Sequence, residues 1–535
     1  MLFYKKHIFP GLLSVLAIIC LIASCKKKDP NEGLDSPRLF MPDGISIKTD
    51  ASTAKITWSQ PLLSEGLPLN FTTEFSQDST FATTEFSIDT DTLGVVVTDE
   101  QVQIRKKYFA RIKANAYNDH PESKWIVSKG FSIIGEQRFK PLRDVEIKET
   151  SVTFRWIATE GLTKIVLTPF EGTSTDYELT SSDLSATFKT LTGLSSAVSY
   201  TAELFSGTKS RGFLKFTTQE PTVYTMILNP GDDLAAAILS APNNAIIGLN
   251  PGEYNPKKSG FTFQNKTLTL KSTSGDPSDT RVLFKELTVV GDGAGLNLSG
   301  IEFDGTGTGY FINLSGSAAV FTNINIDNCV IHDATTSFFR ADRDNYTMDK
   351  IIINNSIIYD VSTALSYICF HLDKLQFNSM TVSKSTFYNV GQSLVSASKV
   401  VPVMPTITFD YCTFNNFGAN DRFVLINADK NPMKFNLTNS ILANVPLPSK
   451  TANLVAISMN GAGSAITFNN NNTFNFTNGK GADLTLPASG VTQIGNQTID
   501  LGWTSSTTDF TLPENSLLRT VSNVGTAIGD PRWTY

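Results

Sequence analysis

The chain has 535 residues, of which 18% are charged and 41% are hydrophobic, and its formal net charge is −6. This length predicts several domains, and the apolar content excludes a wholly disordered chain. The charge excludes the basic footprint of a nucleic-acid binder, and five cysteines are too few for a disulfide framework.

The N-terminus has the pattern of a secretion signal. A short basic stretch precedes an apolar run at 8–22, which at about 15 residues is shorter than a membrane span of roughly 20. The run ends in Ile-Ala-Ser-Cys at 22–25, which resembles a bacterial lipobox. That resemblance implies a signal peptide at 1–24, lipidation of Cys25 and a polar tether at 25–36. The alternative is an ordinary signal peptide with a chance cysteine.

Two units of similar pattern follow, at 37–135 and 138–219. Each begins with an alternating segment that contains tryptophan and carries a later alternating segment that contains tyrosine. Alternation of apolar and polar residues predicts half-buried β-strands. The early tryptophan, the late tyrosine and the unit length resemble tandem fibronectin type III domains. The resemblance implies spacers or, alternatively, platforms for glycan binding.

The remaining chain, 222–535, contains a repeat. Apolar segments recur every 27 to 31 residues, and their first residues are Leu296, Ile324, Ile351, Met380, Ile407, Phe435 and Ile466. Leu268 lies 28 residues earlier and starts the series. Counted from most of these first residues, the residue five positions later is small, the residue seven positions later is apolar, and the residue nine positions later is Asn or Asp. This period predicts one coil of a parallel β-helix per repeat.

Stacking of such coils predicts the role of two columns. Like residues would lie about 4.8 Å apart, so the Asn/Asp column, which includes Asp333 and Asp360, should form a structural ladder. Cys329 and Cys412 share a column but lie three coils apart. That separation is about 14 Å, beyond the roughly 7 Å limit for a disulfide, so both should remain free thiols.

Both ends of this region carry a family resemblance. Residues 234–239 resemble the N-terminal capping helix of the pectate-lyase superfamily, and 248–254 resemble the turn that opens its first coil. Residues 509–533 are similar to the end of β-helix lipoproteins from Bacteroidota glycan-utilisation systems, and Trp533 is expected to cap an open coil end. The resemblance implies an all-β chain with two fibronectin type III-like β-sandwiches followed by a right-handed parallel β-helix. The resemblance also implies a place in a glycan-utilisation system, but it does not imply an activity.

A second column of alternating strands marks the candidate site. Its outward row is Arg340, His371, Ser396, Asn427 and Ser458. The next row is Asp342, Asp373, Ser398, Asp429 and Asn460, with Arg343, Lys374, Lys399 and Lys430 at the strand ends. An open face of hydroxyl, amide and charged groups suits an extended polysaccharide.

Cleavage of a uronate glycan by β-elimination needs a group that neutralises the carboxylate, often Ca²⁺ or Arg, and a base for the C5 proton. The candidate catalytic residues are Arg340, Arg343, Lys374 and His371, and the candidate glycan-binding residues are Asp342, Asp373, Asn427, Asp429 and Lys430. Ligands for a zinc site are lacking, and no metal site is predicted; Ca²⁺ is the cofactor that such chemistry could use. The alternative is that Asp342–Arg343, Asp373–Lys374 and Asp429–Lys430 are surface pairs of little energetic value.

Three functions therefore stay open: glycan capture, a polysaccharide lyase, and a structural or adhesive surface protein. The expected location is the outer membrane at the cell surface, through the lipid anchor. The expected partners are a polysaccharide, the membrane and neighbouring glycan-uptake proteins, with no nucleic acid.

Overall fold

The computed structural model describes residues 37–534. The predicted signal peptide, Cys25 and the tether lie outside these residues. Between residues 37 and 534, no helix is both long and apolar enough to cross a membrane. The chain separates into two units, one built largely from the first sandwich and the other from the second sandwich together with the repeat region.

The first unit is an antiparallel β-sandwich. A three-stranded sheet (β1-β2-β5) and a four-stranded sheet (β4-β3-β6-β7) enclose an apolar core that includes Trp58, as the alternation predicts. The strands are β1 (Asp43–Thr49), β2 (Thr53–Ser59), β3 (Phe71–Ser76), β4 (Phe86–Thr90), β5 (Gly94–Thr98), β6 (Phe109–Ala114) and β7 (Ile126–Val127).

The second sandwich has a four-stranded sheet (β10-β9-β12-β13) and a two-stranded sheet (β11-β8) around buried Trp156. Its elements are β8 (Ser151–Arg155), β9 (Lys164–Pro169), β10 (Thr175–Glu178), α1 (Ser181–Ala186), β11 (Phe188–Thr192), β12 (Ser199–Ser206) and β13 (Lys209–Thr217).

The late tyrosine of each sandwich has the same structural role. The hydroxyl of Tyr108 accepts the backbone N–H of Gln103 at 3.2 Å, and that of Tyr200 accepts the N–H of Ser195 at 3.0 Å. Each bond reaches five residues back along the chain, which is the tyrosine corner typical of fibronectin type III and immunoglobulin-like sandwiches. The recurrence explains the sequence similarity between the two units.

The repeat region is a parallel β-solenoid of about nine turns over 252–494, preceded by α2 (Leu234–Ser240), which matches the predicted capping helix. One sheet has eleven parallel strands. They are β14 (Met226–Leu228), β15 (Ile246–Leu249), β18 (Thr267–Ser272), β21 (Gly295–Ser299), β23 (Ala319–Asp327), β25 (Tyr346–Asn354), β28 (Leu375–Ser383), β31 (Thr406–Asp410), β34 (Lys434–Thr438), β37 (Ala465–Asn469) and β39 (Val491–Ile494).

A fifteen-stranded sheet completes the coils and has two arms, joined through β22 (Glu302–Ser315) and β24 (Val330–Arg340). The first arm contains β17 (Phe261–Gln264), β20 (Leu287–Val290), β27 (Phe370–His371), β30 (Val395–Ser396), β33 (Ile426–Asp429) and β36 (Ile457–Met459). The second arm contains β16 (Gly252–Tyr254), β19 (Thr280–Leu283), β26 (Ile357–Val361), β29 (Thr386–Val390), β32 (Thr413–Phe417), β35 (Ile441–Val445) and β38 (Asn472–Phe476).

The predicted register of the coils is confirmed. The paired residues are Leu268, Leu296, Ile324, Ile351, Met380, Ile407, Phe435 and Ile466, each opposite the next. Their side chains are buried in one continuous core along the solenoid. The sequence period therefore equals the length of one coil.

Each of the central coils turns at two residues in the left-handed region. One column has φ between 45° and 59° and is the predicted Asn/Asp ladder: Asp333, Asp360, Asn389, Asn416, Asn444 and Asn475. The other has φ between 48° and 55°: Asn328, Asn355, Lys384, Tyr411, Asn439 and Asn470. Asn and Asp tolerate this conformation better than other residues with a Cβ, which explains their recurrence.

The ladder is hydrogen-bonded only in part. Asn389 donates to Asp360, Asn416 donates to Asn389 at 3.4 Å, and Asn475 donates to Asn444 Oδ1 at 2.9 Å. The column is interrupted where Asn444 donates to Asn415, at 2.7 Å, rather than to Asn416, and Asp333 accepts from the neighbouring His332. Hydrogen bonds therefore join the ladder in two runs, and the left-handed backbone conformation is common to all its members.

Asn444→Ala should lower the free energy of unfolding by about 2–5 kcal/mol. Alanine in the left-handed region costs about 1–2 kcal/mol, and the lost bonds to Asn415 and to Trp503 O leave buried groups unsatisfied at about 1–3 kcal/mol. Asn444→Gly, the matched variant, keeps the backbone relaxed and should lose less. Urea unfolding compares the two; equal losses would contradict the role of the conformation.

The column of small residues faces the interior. The Ser356 hydroxyl accepts the N–H of Cys329 at 3.1 Å, and Ser440 accepts that of Cys412 at 3.0 Å, so one coil satisfies the backbone of the coil before it. Cys329 and Cys412 are free and buried, as predicted, and Cys369 is also free. Burial raises the pKa of the Cys329 thiol to about 12, which keeps it unreactive.

The second sandwich packs along the flank of the solenoid. Lys384 pairs with Asp144 at 2.5 Å, Lys271 pairs with Glu149 at 3.1 Å, and Lys148 donates to Ser274 O at 2.7 Å. These contacts join both parts into one unit. The second sandwich is therefore not a free spacer.

The C-terminal segment covers the outer side of the second arm. The Trp533 indole donates to Thr386 Oγ1 at 2.7 Å, and Arg532 donates to Asn355 O at 2.7 Å. Both partners lie several coils before the last strand, β39. The prediction that Trp533 caps an open coil end is wrong, because the segment runs back along the stack and covers the side of the coils.

Candidate functional site

The predicted outward row is present on the first arm. Strand pairing places Arg340 opposite His371, His371 opposite Ser396, and Asn427 opposite both Ser396 and Ser458. Asn313 precedes Arg340 in the same row. Parallel strands hold these residues about 4.8 Å apart along the solenoid axis. The sequence pattern alone therefore predicts the membership of this row correctly.

The second predicted row is only partly regular. The strands end at Arg340, His371 and Ser396, so Asp342, Asp373 and Ser398 follow the strands rather than belong to them. A shift in register then pairs Asp429 with Met459 instead of Asn460. Asp429 has a φ of 45° and is exposed, away from the ordered row. The predicted alignment of Asp429 with Asn460 in this row is therefore wrong, and the role of Asp429 in glycan binding stays a prediction.

Asp373 is the acid of this face with the most hydrogen bonds to its neighbours. Its Oδ1 accepts the Ser396 hydroxyl at 2.6 Å and the Ser398 N–H at 2.8 Å, while its Oδ2 lies 3.1 Å from His371 Nε2. Burial pushes the pKa of the Asp373 carboxyl upward, but the hydrogen bonds from His371, Ser396 and Ser398 outweigh it and hold the pKa below its usual range. Asp373 is therefore ionised at neutral pH and orients His371.

The orientation of His371 fixes its tautomer. A carboxylate only accepts, so Nε2 carries the proton that it donates to Asp373, and neutral His371 keeps a lone pair on Nδ1. That Nδ1 is buried and has no hydrogen-bond partner in the part of the chain that the structure describes. Nδ1 is thus an unsatisfied proton acceptor that is covered in this conformation, and a substrate would reach it only if the covering side chains moved.

Arg340 lies against Tyr310, which in turn contacts Tyr367. Its guanidinium carbon is 5.3 Å from the Tyr310 ring centre, and the Tyr310 and Tyr367 rings meet edge to face at 6.0 Å. Tyr367 also lies 6.0 Å from the His371 ring. Arg340 donates to Asn313 Oδ1 at 3.2 Å, and its buried Nε has no partner among residues 37–534. The Arg340 side chain is 20% exposed, so a ligand would reach the guanidinium through this exposed part and not through the buried Nε.

An open groove of about 330 Å³ begins at these rings. Along its length it is lined by Tyr367, His371, Asp373, Gln392, Ser393, Ser396, Ser398, Arg422 and Asn427. Hydroxyl and amide groups predominate, with a basic side chain from a later coil. Such a lining can hydrogen-bond sugar hydroxyls over several coils.

The face carries more basic than acidic side chains. Segments 340–344, 371–374, 396–399 and 422–430 contain six Lys and Arg residues and four Asp residues, although the whole chain is acidic. Arg343, Arg422 and Lys430 are exposed and form no ion pair with any residue between 37 and 534. Their charges remain available to an anion.

The pairs of sequence neighbours do not form. Asp342 lies 3.7 Å from both Arg340 and Lys374, and Asp373 interacts with His371 rather than with Lys374. Lys399 pairs with Asp344, and Asp429 and Lys430 are both exposed. The predicted pairing of sequence neighbours is therefore wrong: Arg340–Asp342 and His371–Asp373 form within a coil, and Lys374 and Lys399 pair with acids of earlier coils.

The stabilisation from Asp373 should depend on pH in a defined direction. Its pKa is lowered by folding, so the contribution is complete above the ordinary carboxyl pKa of about 4 and is lost as pH falls toward the lower folded value. The difference in unfolding free energy between wild type and Asp373→Asn should be constant from neutral to mildly acidic pH and shrink below about 4. Urea unfolding across pH measures it; a difference that grows on acidification would contradict the assignment.

A second charged cluster occurs on the second arm. Asp304, His332 and Asp333 offer atoms within 4.8 Å of one another, a spacing that could hold a metal ion. His332 Nδ1 lies 2.8 Å from Asp333 and Nε2 lies 3.1 Å from Glu302. The Arg281 guanidinium already pairs with Asp304, and its positive charge balances the negative charge of this buried carboxylate.

Several aromatic residues near these two clusters were not predicted from the sequence. His332, Tyr359 and Tyr388 stack with ring centres 4.7 and 4.8 Å apart. They stand eight positions into the repeat, between two columns that were aligned, so the signal was present. Tyr310 and Tyr367 had no such signal, because they lie outside the repeated columns.

Comparison with known proteins gives limited similarity. Residues 252–390, part of the solenoid, match the family described as "Domain of unknown function (DUF4957)". No curated protein sequence matches the chain.

Three solved structures resemble parts of the chain. A two-domain fibronectin type III segment of chicken tenascin is 14% identical, covers 33% of this chain and 97% of its own length, and has a TM-score of 0.18. The chicken CNTN1 FN1–FN3 domains are 12% identical, with 35% and 68% covered and a TM-score of 0.17. The PL6 family alginate lyase AlyGC is 17% identical over 53% of this chain, which spans 41% of that protein, with a TM-score of 0.34. Because these scores are low, the strand pairing carries the fold assignment: fibronectin type III-like sandwiches followed by a parallel β-solenoid.

Proposed function

We propose that the chain captures an extended, uronate-containing polysaccharide along the first arm of the solenoid. The observation that carries the proposal is the groove at His371, which continues over several coils and is lined by hydroxyl, amide and basic groups. A polymer aligned with the axis meets a new set of donors at each coil. The excess of unpaired basic side chains favours an acidic chain over a neutral one.

Electrophoresis in native gels containing polysaccharides tests capture. Gels with pectin, polygalacturonate or alginate should retard the mature protein, while gels with the same polymer after carboxyl reduction should retard it much less. The reduced polymer is the matched control, because it keeps the chain and loses the charge. Equal mobility in all gels would contradict the proposal.

A second candidate function, polysaccharide lyase, has its own supporting observation. His371 has a free Nδ1, is held by Asp373, and lies in the row next to Arg340. In the reaction, Arg340 would neutralise the uronate carboxylate, and His371 Nδ1 would take the C5 proton once the side chains that cover it move aside. The C4–O bond then breaks as the C4=C5 double bond forms, and Tyr367 is placed to protonate the departing oxygen. The product absorbs in the ultraviolet, so a spectrophotometric assay tests it.

The proposed setting is the outer surface of the outer membrane, as in lipoproteins of Bacteroidota glycan-utilisation systems. The lipobox pattern at residues 22–25 supports an acyl anchor at Cys25, and a neighbouring glycan-uptake protein would be the partner. Mass spectrometry of the mature N-terminus should find an acylated cysteine. An unmodified N-terminus at another residue would contradict the anchor.

A further inference from the structure

The first sandwich has an exposed apolar tip at one end. Leu62 and Leu63 are 71% and 89% exposed, and Phe40 and Met41 are 52% and 49% exposed. We call these four residues the apolar tip. Soluble proteins seldom expose several large apolar side chains together without a partner.

Strand pairing explains why these residues are neighbours. β1 and β2 are antiparallel, with Asp43 opposite Ser59. Residues 40–42 therefore enter the sheet beside residues 60–63, which leave it. The two segments come from opposite ends of their strands and meet at the same end of the sandwich.

The loop that presents the two leucines is held in place. Ser64 is buried and donates to Pro61 O at 2.6 Å, and the Gln60 amide donates to Ser64 O. Leu63 has a φ of 58°, a conformation unfavourable for a leucine. Hydrogen bonds thus hold this turn in a conformation that points Leu63 into solvent, where its side chain does not contribute to the core of the sandwich.

The chain enters the sandwich at this same end. Pro37 O lies 2.9 Å from His120 Nδ1, and Leu39 donates to Pro121 O at 3.0 Å. Twelve residues separate Pro37 from Cys25. At about 3.6 Å per residue, they reach at most about 43 Å, so an acyl anchor at Cys25 would keep the apolar tip close to a bilayer.

We propose that the apolar tip inserts into the surface of the lipid bilayer, as a second membrane contact beside the acyl chains. The inference rests on the proposed anchor at Cys25. Its physical basis is that four apolar side chains leave water while the backbone of the turn at Leu63 keeps its own hydrogen bonds. The contact would fix the orientation of the first sandwich on the membrane.

Sedimentation with vesicles of phosphatidylethanolamine and phosphatidylglycerol tests insertion by a protein that carries no acyl anchor. The mature chain with Cys25→Ser should bind them weakly, and Leu62→Ser with Leu63→Ser should reduce the partition coefficient by about tenfold or more. Phe170→Ser is the matched control, since Phe170 is 84% exposed on the second sandwich. Equal sedimentation of the Cys25→Ser chain with and without the two leucine substitutions, or no sedimentation of either, would overturn the proposal.

A fluorescence measurement gives a second readout. In the Cys25→Ser background, Leu63→Cys can be labelled selectively with a polarity-sensitive dye, because Cys329, Cys369 and Cys412 are buried. Vesicles should shift its emission to the blue; an unchanged spectrum overturns insertion. A dimer in the absence of lipid that the leucine substitutions abolish would instead make the apolar tip a contact between copies. Because the protein carries no acyl chain, these outcomes are independent of whether Cys25 is lipidated in cells.

Discussion

Arg340→Ala is expected to weaken binding of a polyuronate by at least about tenfold. Arg340 lies opposite His371 in the strand pairing, keeps 20% of its side chain exposed, and lies against the Tyr310 ring, which holds the guanidinium in place. A charge-assisted hydrogen bond to a carboxylate contributes about 1.5–3 kcal/mol, which corresponds to a factor of roughly ten to one hundred and fifty. Isothermal titration with an oligouronate measures the loss.

Two further variants make this result specific. Arg340→Lys keeps the charge but lacks the planar donor fork, so it should retain only part of the affinity. Lys350→Ala removes the same charge from an exposed position on the eleven-stranded sheet and should bind as wild type does. Should Lys350→Ala lose as much affinity as Arg340→Ala, overall charge and not the groove would account for binding.

His371→Ala is expected to have the largest effect on any lyase activity, with kcat falling by about 10²–10⁴-fold and KM changing little. The fall in kcat has the size that a general base usually contributes. The effect should fall on kcat more than on KM because the free Nδ1 is assigned to proton transfer and not to substrate binding. The initial rate of formation of the unsaturated product measures the effect.

Asp373→Asn separates positioning from catalysis. Asparagine cannot act as the acceptor-only carboxylate that fixes the His371 tautomer, so kcat should fall less than in His371→Ala, and the pH–rate profile should shift. Ser458→Ala, in the same row but beyond the groove lining, is the control. If wild type forms no unsaturated product from any polyuronate, or if His371→Ala keeps the full rate, the lyase candidate fails.

The register of the solenoid could be read from the sequence, because each interior position repeats at every coil. Leu296, Ile324 and Ile351 were aligned by pattern and are paired in the structure. The path of the C-terminal segment could not be read in this way. Trp533 meets Thr386 across 147 positions of sequence, and no local periodicity encodes such a contact.

The candidate site was predicted as far as it follows the repeat. Arg340 and His371 share a row because their strands pair. Tyr310 and Tyr367 complete the site from outside the repeated columns, so periodicity gave no reason to place them there. The shift at Asp429 was also unpredictable, since its positive φ depends on the local turn.

Hydrogen–deuterium exchange with and without an oligouronate tests most directly whether the first arm is the binding face. Bound ligand should slow exchange at 367–373, 392–398 and 422–427, which contain most of the groove lining, and leave the second arm and both sandwiches unchanged. Protection confined to a sandwich or to the second arm, with none in these three segments, would contradict the account.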